Sequence, residues 1–70
     1  MKDQSLAAQT QPVWVLINKL TELTGYSDDA IRAKKKRGHW LEGRHWRRAP
    51  DNRIVFNYPA IVAWMGGQHA

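Results

Sequence analysis

The chain of 70 residues contains no cysteine. Disulfide bonds and a cysteine-ligated zinc finger are therefore excluded as supports for its core. Long apolar runs are also missing, so no segment is expected to span a bilayer, and the polar residues 1–11 lack the apolar stretch of a signal peptide. From these absences we expect an intracellular, cytoplasmic protein without membrane association.

A catalytic or metal-binding set of side chains is missing as well. The three histidines share no i, i+4 spacing and no cluster of carboxylates accompanies them: His39, His45 and His69. The serine and the two aspartates of residues 27–29 are explained by the capping of a helix, and no nucleophile–base–acid set is visible. We therefore expect a protein that is not an enzyme and that binds neither a metal nor a cofactor.

The length of the chain leaves room for one domain. A chain this short buries only about 60% of the surface that its unfolded form exposes, so its stability is expected to be modest. The polar, aperiodic residues 1–12 predict a disordered tail. Residues 13–67 are expected to form the folded domain and residues 68–70 a frayed end.

Positive charge is concentrated in the middle of the chain. Nine cationic side chains lie there: Arg32, Lys34, Lys35, Lys36, Arg37, Arg44, Arg47, Arg48 and Arg53. Only Glu42 and Asp51 oppose them, so this segment carries +7 while the whole chain carries +5. Such a patch predicts a polyanionic partner, because cations that neutralise phosphates release counterions. Nucleic acid is favoured over an anionic membrane, because the helix that carries the lysines has only a narrow apolar face.

Two short helices separated by a glycine turn are expected in the first half of the domain. Apolar residues at spacings of four and three predict a helix over residues 17–24, and Gly25 provides its left-handed end. Ser27 is a good N-cap for a second helix over residues 28–37, which stops at Gly38. The pair forms a helix-turn-helix pattern, although plain helical bundles contain similar pairs.

A β-hairpin and a third helix are expected in the second half. Residues 46–49 and 53–57 predict two strands, joined by a type I turn in which Asn52 takes the left-handed conformation. A third helix is expected over residues 58–65, with a proline in its first turn. The apolar, β-branched run at residues 13–16 predicts a short additional strand.

The tryptophans are expected to serve the core rather than to form a base-stacking surface. Burial is predicted for all four: Trp14, Trp40, Trp46 and Trp64, with Trp46 beneath the hairpin. On the third helix, Ile61, Trp64 and Met65 are expected to face the core. Ile31 and Ala30 are the inward residues of the second helix.

A helix-turn-helix followed by a basic hairpin predicts an α+β fold, a small winged helix with three helices, a two-stranded wing and a short strand near Trp14. The second helix then enters the major groove of DNA, while the wing lies along the backbone and its tip reaches the adjacent minor groove. Helix residues expected to contact DNA are Asp29, Arg32, Ala33, Lys35, Lys36 and Arg37. Wing residues expected to do so are Arg44, Arg47, Arg48, Asn52 and Arg53, with Arg44 and Arg48 at the base of the wing. Arg32 is expected to read guanine, and the cations that follow it to neutralise phosphates.

The residues also resemble the phage and prophage excisionase-like proteins. The resemblance is carried by WVLINKLTELTGY at residues 14–26, DAIR at residues 29–32, GHWLEGRHW at residues 38–46 and PDNR at residues 50–53. It implies a bacterial or phage-encoded recombination directionality factor that bends DNA near attachment sites. It also implies a tyrosine-recombinase integrase as a partner, which such a factor directs toward excision without breaking bonds itself.

The lambda-type relatives read the major groove with polar residues of the second helix and place a wing arginine in the minor groove. The positions that match are Asp29, Arg32, Ala33 and Lys36 on the helix and Arg53 in the wing. Ala33 stands where the lambda type has a base-contacting arginine, so the target sequence does not carry over. Asn52 replaces the glycine that is common in the wing turn, a change that its tolerance of positive φ accommodates.

Two other functions remain open from the sequence. A small transcriptional regulator of the MerR or phage-repressor type shares the leucine-threonine-glycine turn, but it would need a dimerisation element to read paired half-sites. A protein-interaction module that inhibits an acidic partner would show little DNA binding at moderate salt. Head-to-tail association of copies on DNA is also left open.

Overall fold

The structure is a computed structural model that describes residues 13–67. Three α-helices and a three-stranded antiparallel sheet make up this part of the chain, which confirms the predicted α+β winged-helix class. The expectations of a disordered tail at residues 1–12 and of a frayed end at residues 68–70 lie outside the described residues, as does His69. Among the helices of the described part, none combines the length and the apolar character that crossing a membrane requires.

The helix-turn-helix consists of α1 (Ile17–Thr24) and α2 (Asp28–Lys36). Gly25 ends α1 with a φ of 85° and donates its N–H to the carbonyl of Thr21 at 2.8 Å. Such a positive φ is accessible to glycine without a steric penalty, which explains the residue at this turn. Ser27 then caps α2 by accepting a hydrogen bond from the N–H of Ala30 at 3.1 Å. Both caps were predicted, and α2 ends one residue before the predicted position.

The wing is the hairpin of β2 (Trp46–Arg48) and β3 (Ile54–Asn57). Asn52 has a φ of 75° and donates its N–H to the carbonyl of Ala49 at 2.8 Å, which confirms the predicted turn. The predicted additional strand is β1 (Trp14–Val15), which pairs with the other edge of β3 and gives the order β1-β3-β2. Helix α3 (Tyr58–Met65) follows β3 directly and is capped by the side chain of Asn57.

The core lies between the helices and one face of the sheet. Six apolar side chains form it: Val15, Leu20, Ile31, Trp40, Phe56 and Ile61. Trp40 is 1% exposed, and three rings meet its indole edge to face at centroid distances of 5.7, 6.2 and 6.3 Å: Trp64, Phe56 and Tyr26. Trp46 is half-buried against this cluster and donates its indole N–H to the carbonyl of Trp40 at 3.1 Å. The expected burial of Trp40 and the packing of Trp46 beneath the hairpin are confirmed.

Two predictions about the core are wrong. Trp14 is 38% exposed, because Val15 takes the core side of β1 and alternation along a strand turns its neighbour to the opposite face. Met65 is 46% exposed, and it is the last residue of α3, at the end of the helix farthest from β3. Ile61 is fully buried and Trp64 packs against the core, as expected.

Candidate nucleic-acid interface

Helix α2 has one buried stripe and one exposed stripe. Ile31 is fully buried, and successive residues are about 100° apart around a helix. The side opposite Ile31 therefore carries four of the predicted DNA-contacting residues: Asp29, Arg32, Ala33 and Lys36. The three charged residues among them are exposed and Ala33 is half-buried. The predicted orientation of α2, with Ile31 inward, is confirmed.

A concave surface lies between α2 and the wing. This basic groove has a volume of about 620 Å³ and is lined by Leu16, Ile17, Asn18, Arg32, Lys35, Arg53, Ile54 and Phe56. Two of its cations come from α2 and one from the end of the wing turn, so the fold brings helix and wing charge onto one surface. The rest of the lining is mostly apolar, with Leu16, Ile17, Ile54 and Phe56 beside Asn18.

Lys35 connects α2 to the wing. Its ammonium lies 4.3 Å from the centre of the Trp46 ring on β2. A cation over an indole face is attracted by the ring quadrupole, and the indole of Trp46 is itself held by its hydrogen bond to Trp40. The Lys35 charge is therefore held against the wing by the Trp46 ring.

The wing turn carries two guanidinium groups. Arg48 pairs with Ile54, the last pair before the turn, and its Nη1 donates to the Asn52 carbonyl at 3.1 Å. Arg48 was expected at the base of the wing; it lies beside the turn because the register sets it there. Arg53 lies 3.9 Å from the carboxylate of Asp51, and both side chains are about two-thirds exposed, so this ion pair is weak.

Arg47 and Arg44 lie elsewhere on the wing. Arg47 follows Trp46 along β2 and so points to the opposite face of the sheet, where its guanidinium carbon lies 5.7 Å from the centre of the Trp14 ring. The backbone of Arg44 is tied to the base of the wing, since its carbonyl accepts a hydrogen bond from the side chain of Asn57 at 3.1 Å. The cations of the middle segment therefore occupy more than one surface of the fold.

The role of His45 is visible only in the fold. The residue is 3% exposed, and its Nδ1 accepts a hydrogen bond from the N–H of Leu41 at 2.9 Å. Burial, assisted by the charge of Arg44, lowers the pKa of His45 below its ordinary value of 6.5. A neutral imidazole therefore fixes the segment that leads into the wing. Within residues 13–67, no group of three or more potential metal ligands converges.

The amino-acid sequence was compared with the sequence models of known protein families. The sequence model of one protein family matches residues 6–69, and that family carries the description "Putative excisionase (DUF1233)". The chain belongs to this family. The resemblance of residues 13–64 to excisionase-like proteins is thereby confirmed and extends almost to both ends of the chain. No curated protein and no solved structure matches the chain.

The region matched by the excisionase family contains the elements that form the basic groove. The matched region includes both helices of the helix-turn-helix and the whole wing. Excisionases take part in phage recombination, a process that acts on DNA, and a positively charged concavity between a helix and a hairpin is suited to a phosphate backbone.

Proposed function

We propose that this excisionase is a non-catalytic, cytoplasmic DNA-binding factor that acts on duplex DNA at a phage attachment site. Helix α2 enters the major groove, and the wing follows the backbone toward the adjacent minor groove. The observation that carries the proposal is the convergence of Arg32, Lys35 and Arg53 on the basic groove. These three charges belong to the two elements that a winged helix applies to DNA.

The exposed stripe of α2 supplies the residues that read bases. Arg32 is exposed near the middle of the helix, and its fork matches the two acceptors of guanine in the major groove. Asp29, one turn earlier, can accept from the amino group of cytosine, and the methyl group of Ala33 can contact thymine. This set differs from that of the lambda type, so the protein has a target sequence of its own.

The remaining cations of α2 and the wing bind the phosphate backbone of the DNA. Lys36 and Arg37 are exposed at the C-terminal end of α2, and Lys35 lines the basic groove. Arg48 and Arg53 flank the wing turn, where the tip can reach the minor groove. The net charge of +7 between residues 32 and 53 makes binding strongly dependent on salt, since each neutralised phosphate contributes about 0.9 to the slope of log K against log salt.

The biological consequence is bending of the attachment site. Helix α2 in the major groove and the wing at the adjacent minor groove contact the same DNA at two places. A bend in the DNA allows both contacts to form at once. Bending a site of 20–30 base pairs by 40–90° costs on the order of 1–6 kcal/mol, which such contacts can offset. The bent DNA favours excision by a partner integrase of the tyrosine-recombinase class, and the excisionase itself breaks no bond.

The experiment is a binding, bending and excision assay on an attachment site beside an integrase gene. Gel shifts with a permuted set of fragments measure affinity and bend angle, and an excision assay with the integrase measures function. Arg32→Ala should weaken binding and lower excision. The matched control is Lys19→Ala on α1, whose ammonium pairs with Glu22 at 3.4 Å and which is not among the groove residues. Straight DNA and unchanged excision with the unmodified protein would refute the proposal.

A further inference from the structure

The face of the sheet opposite the core has an unusual surface pair. Trp14 on β1 and Arg47 on β2 reach toward each other across β3, with 5.7 Å between the guanidinium carbon and the centre of the indole. Trp14 is 38% exposed and Arg47 is exposed. The pair is therefore accessible to a ligand on the face of the sheet that points away from the core.

The strand register explains why the pair forms. Trp14 pairs with Asn57, and Arg47 pairs with Val55, two residues earlier on β3 and on the same face. Trp46 and Arg48, the neighbours of Arg47, point to the other face. The wing therefore presents guanidinium groups on both faces of the sheet, Arg47 on one and Arg48 on the other.

We propose that Trp14 is a positioning residue that holds the Arg47 guanidinium ready for a DNA phosphate, which makes this outer face a second backbone contact. The inference rests on the proposed DNA-binding function and deepens it. A β-ribbon that lies in a DNA groove has a phosphate backbone on each side, and cations on both faces of the wing correspond to the two backbones.

A cation–π contact suits Arg47 for this role. The guanidinium carbon lies 5.7 Å from the centre of the Trp14 ring, and an attraction to the ring uses none of the guanidinium N–H groups as hydrogen-bond donors to another residue. The group can therefore still bind a phosphate in a bidentate manner. Holding the side chain in place before binding also reduces the conformational entropy lost when the contact forms. A lysine in the same place would lack the planar fork.

The observations favour a phosphate over a nucleobase or an acidic protein as the occupant. The Arg47 guanidinium lies 5.7 Å over the Trp14 ring, where it competes with a stacking base for that face. The polar neighbour Asn57 is engaged already, because its side chain caps α3 and donates to the carbonyl of Arg44. Arg47 is thus the group that can meet a ligand here, and the adjacent surface of the wing carries the charges of the proposed DNA site.

The test is a double-mutant cycle on attachment-site DNA, measured at several salt concentrations. The variants are Arg47→Ala, Trp14→Leu and the double variant. Arg47→Ala should weaken binding and reduce the salt slope by about 0.9. Trp14→Leu should weaken binding roughly twofold to fivefold while Arg47 is present, and should have no further effect in the Arg47→Ala background.

Two controls separate positioning from folding. Trp14→Phe retains an aromatic ring and should restore most of the affinity lost in Trp14→Leu. Leu41→Ala removes another exposed apolar side chain, 54% exposed and outside the wing strands, and should bind as the unmodified protein does. Melting temperatures of all variants show whether the domain is intact.

Failure of this inference is distinguishable from failure of the proposed function. If Arg32→Ala weakens binding while Arg47→Ala and Trp14→Leu do not, the second contact is disproved and the first stands. Additive losses in the double variant would disprove positioning by Trp14. If Trp14→Leu lowers excision with DNA binding intact, positioning of Arg47 by Trp14 is disproved and the outer face contacts a protein instead. If the unmodified protein does not bind attachment-site DNA specifically, the proposed function itself is disproved.

Discussion

The ammonium of Lys35 lies 4.3 Å from the centre of the Trp46 ring, and through this contact α2 touches the wing. Trp46 is tied in turn to the centre of the core by its hydrogen bond to the carbonyl of Trp40. The two elements proposed to grip DNA are therefore held against each other before DNA arrives. A preformed angle between helix and wing lowers the entropic cost of binding.

The contact between Lys35 and Trp46 predicts a small loss of stability when the charge is removed. Lys35→Met keeps the apolar stem and should lower the free energy of unfolding by about 0.5–1 kcal/mol. The matched control is Lys36→Met, at the next and exposed position of α2, which should stay within about 0.5 kcal/mol of the unmodified protein. Urea unfolding measures both, and equal effects of the two substitutions would argue against a specific contact.

Arg32 and Lys36 are proposed to contact different parts of the DNA, so substitutions at the two positions should change DNA binding differently with salt concentration and with DNA sequence. Arg32→Ala should cost about 1–3 kcal/mol on the specific site and relax discrimination at one base pair, because a base contact is lost. Lys36→Ala should weaken binding to all sequences and reduce the salt slope by about one, because a phosphate contact is lost. Titrations on specific and random duplexes separate the two, and identical losses on both duplexes for both variants would contradict the assignment.

His45 predicts a pH dependence of stability. The lowered pKa of the folded state means that below pH 6.5 the unfolded chain takes up a proton more readily than the folded domain. The stabilising contribution is complete above about pH 6.5 and declines as the pH falls toward the folded-state pKa, where the protonated imidazole can no longer accept from Leu41. Unfolding free energies between pH 5 and 7.5 should fall with acidity, with Arg44 the charged neighbour that adds to the effect.

The control for this pH dependence is His45→Gln, which can accept the same hydrogen bond without titrating. Its stability should be lower overall and should vary less over that range. An equally steep pH profile in His45→Gln would show that another group is responsible.

Substitution by alanine is expected to destabilise the protein at one glycine and to leave its stability unchanged at another. Gly25→Ala introduces a side chain at a φ of 85°, where open space surrounds the new methyl group but the backbone conformation is strained, so it should cost about 1 kcal/mol. Gly66→Ala lies at a φ of −84°, and its Cβ would meet the nearest carbonyl at an ordinary 3.5 Å. Gly66→Ala should be neutral. Thermal unfolding should separate the variants by roughly 4–8 °C, and equal melting temperatures would contradict the account of the turn.

Features that depend on local chemistry were predictable from the sequence. The capping by Ser27, the left-handed end at Gly25 and the turn at Asn52 each follow from a residue and its immediate neighbours. The helix bounds therefore agree within one residue. The family resemblance was also visible in the sequence, since it spans most of the chain.

Features that depend on distant pairing were not predictable. The exposure of Trp14 is set by the pairing of β1 with β3, more than 40 residues away along the chain, and an apolar run does not tell which side of a strand will meet the core. The same pairing brings the Arg47 guanidinium within 5.7 Å of the centre of the Trp14 ring. Likewise, nothing adjacent to His45 in the sequence indicates that the fold will bury its side chain and that its Nδ1 will accept a hydrogen bond from the N–H of Leu41.

The central claim is that the basic groove between α2 and the wing is where duplex DNA binds. Its most direct test is a titration of the 15N-labelled protein with attachment-site duplex, followed by amide chemical shifts. We expect changes concentrated in residues 29–37 and 47–54, with residues 60–65 of α3 unaffected. Changes spread evenly over the domain, or concentrated in α3 with the amides of Arg32 and Arg53 unmoved, would contradict it.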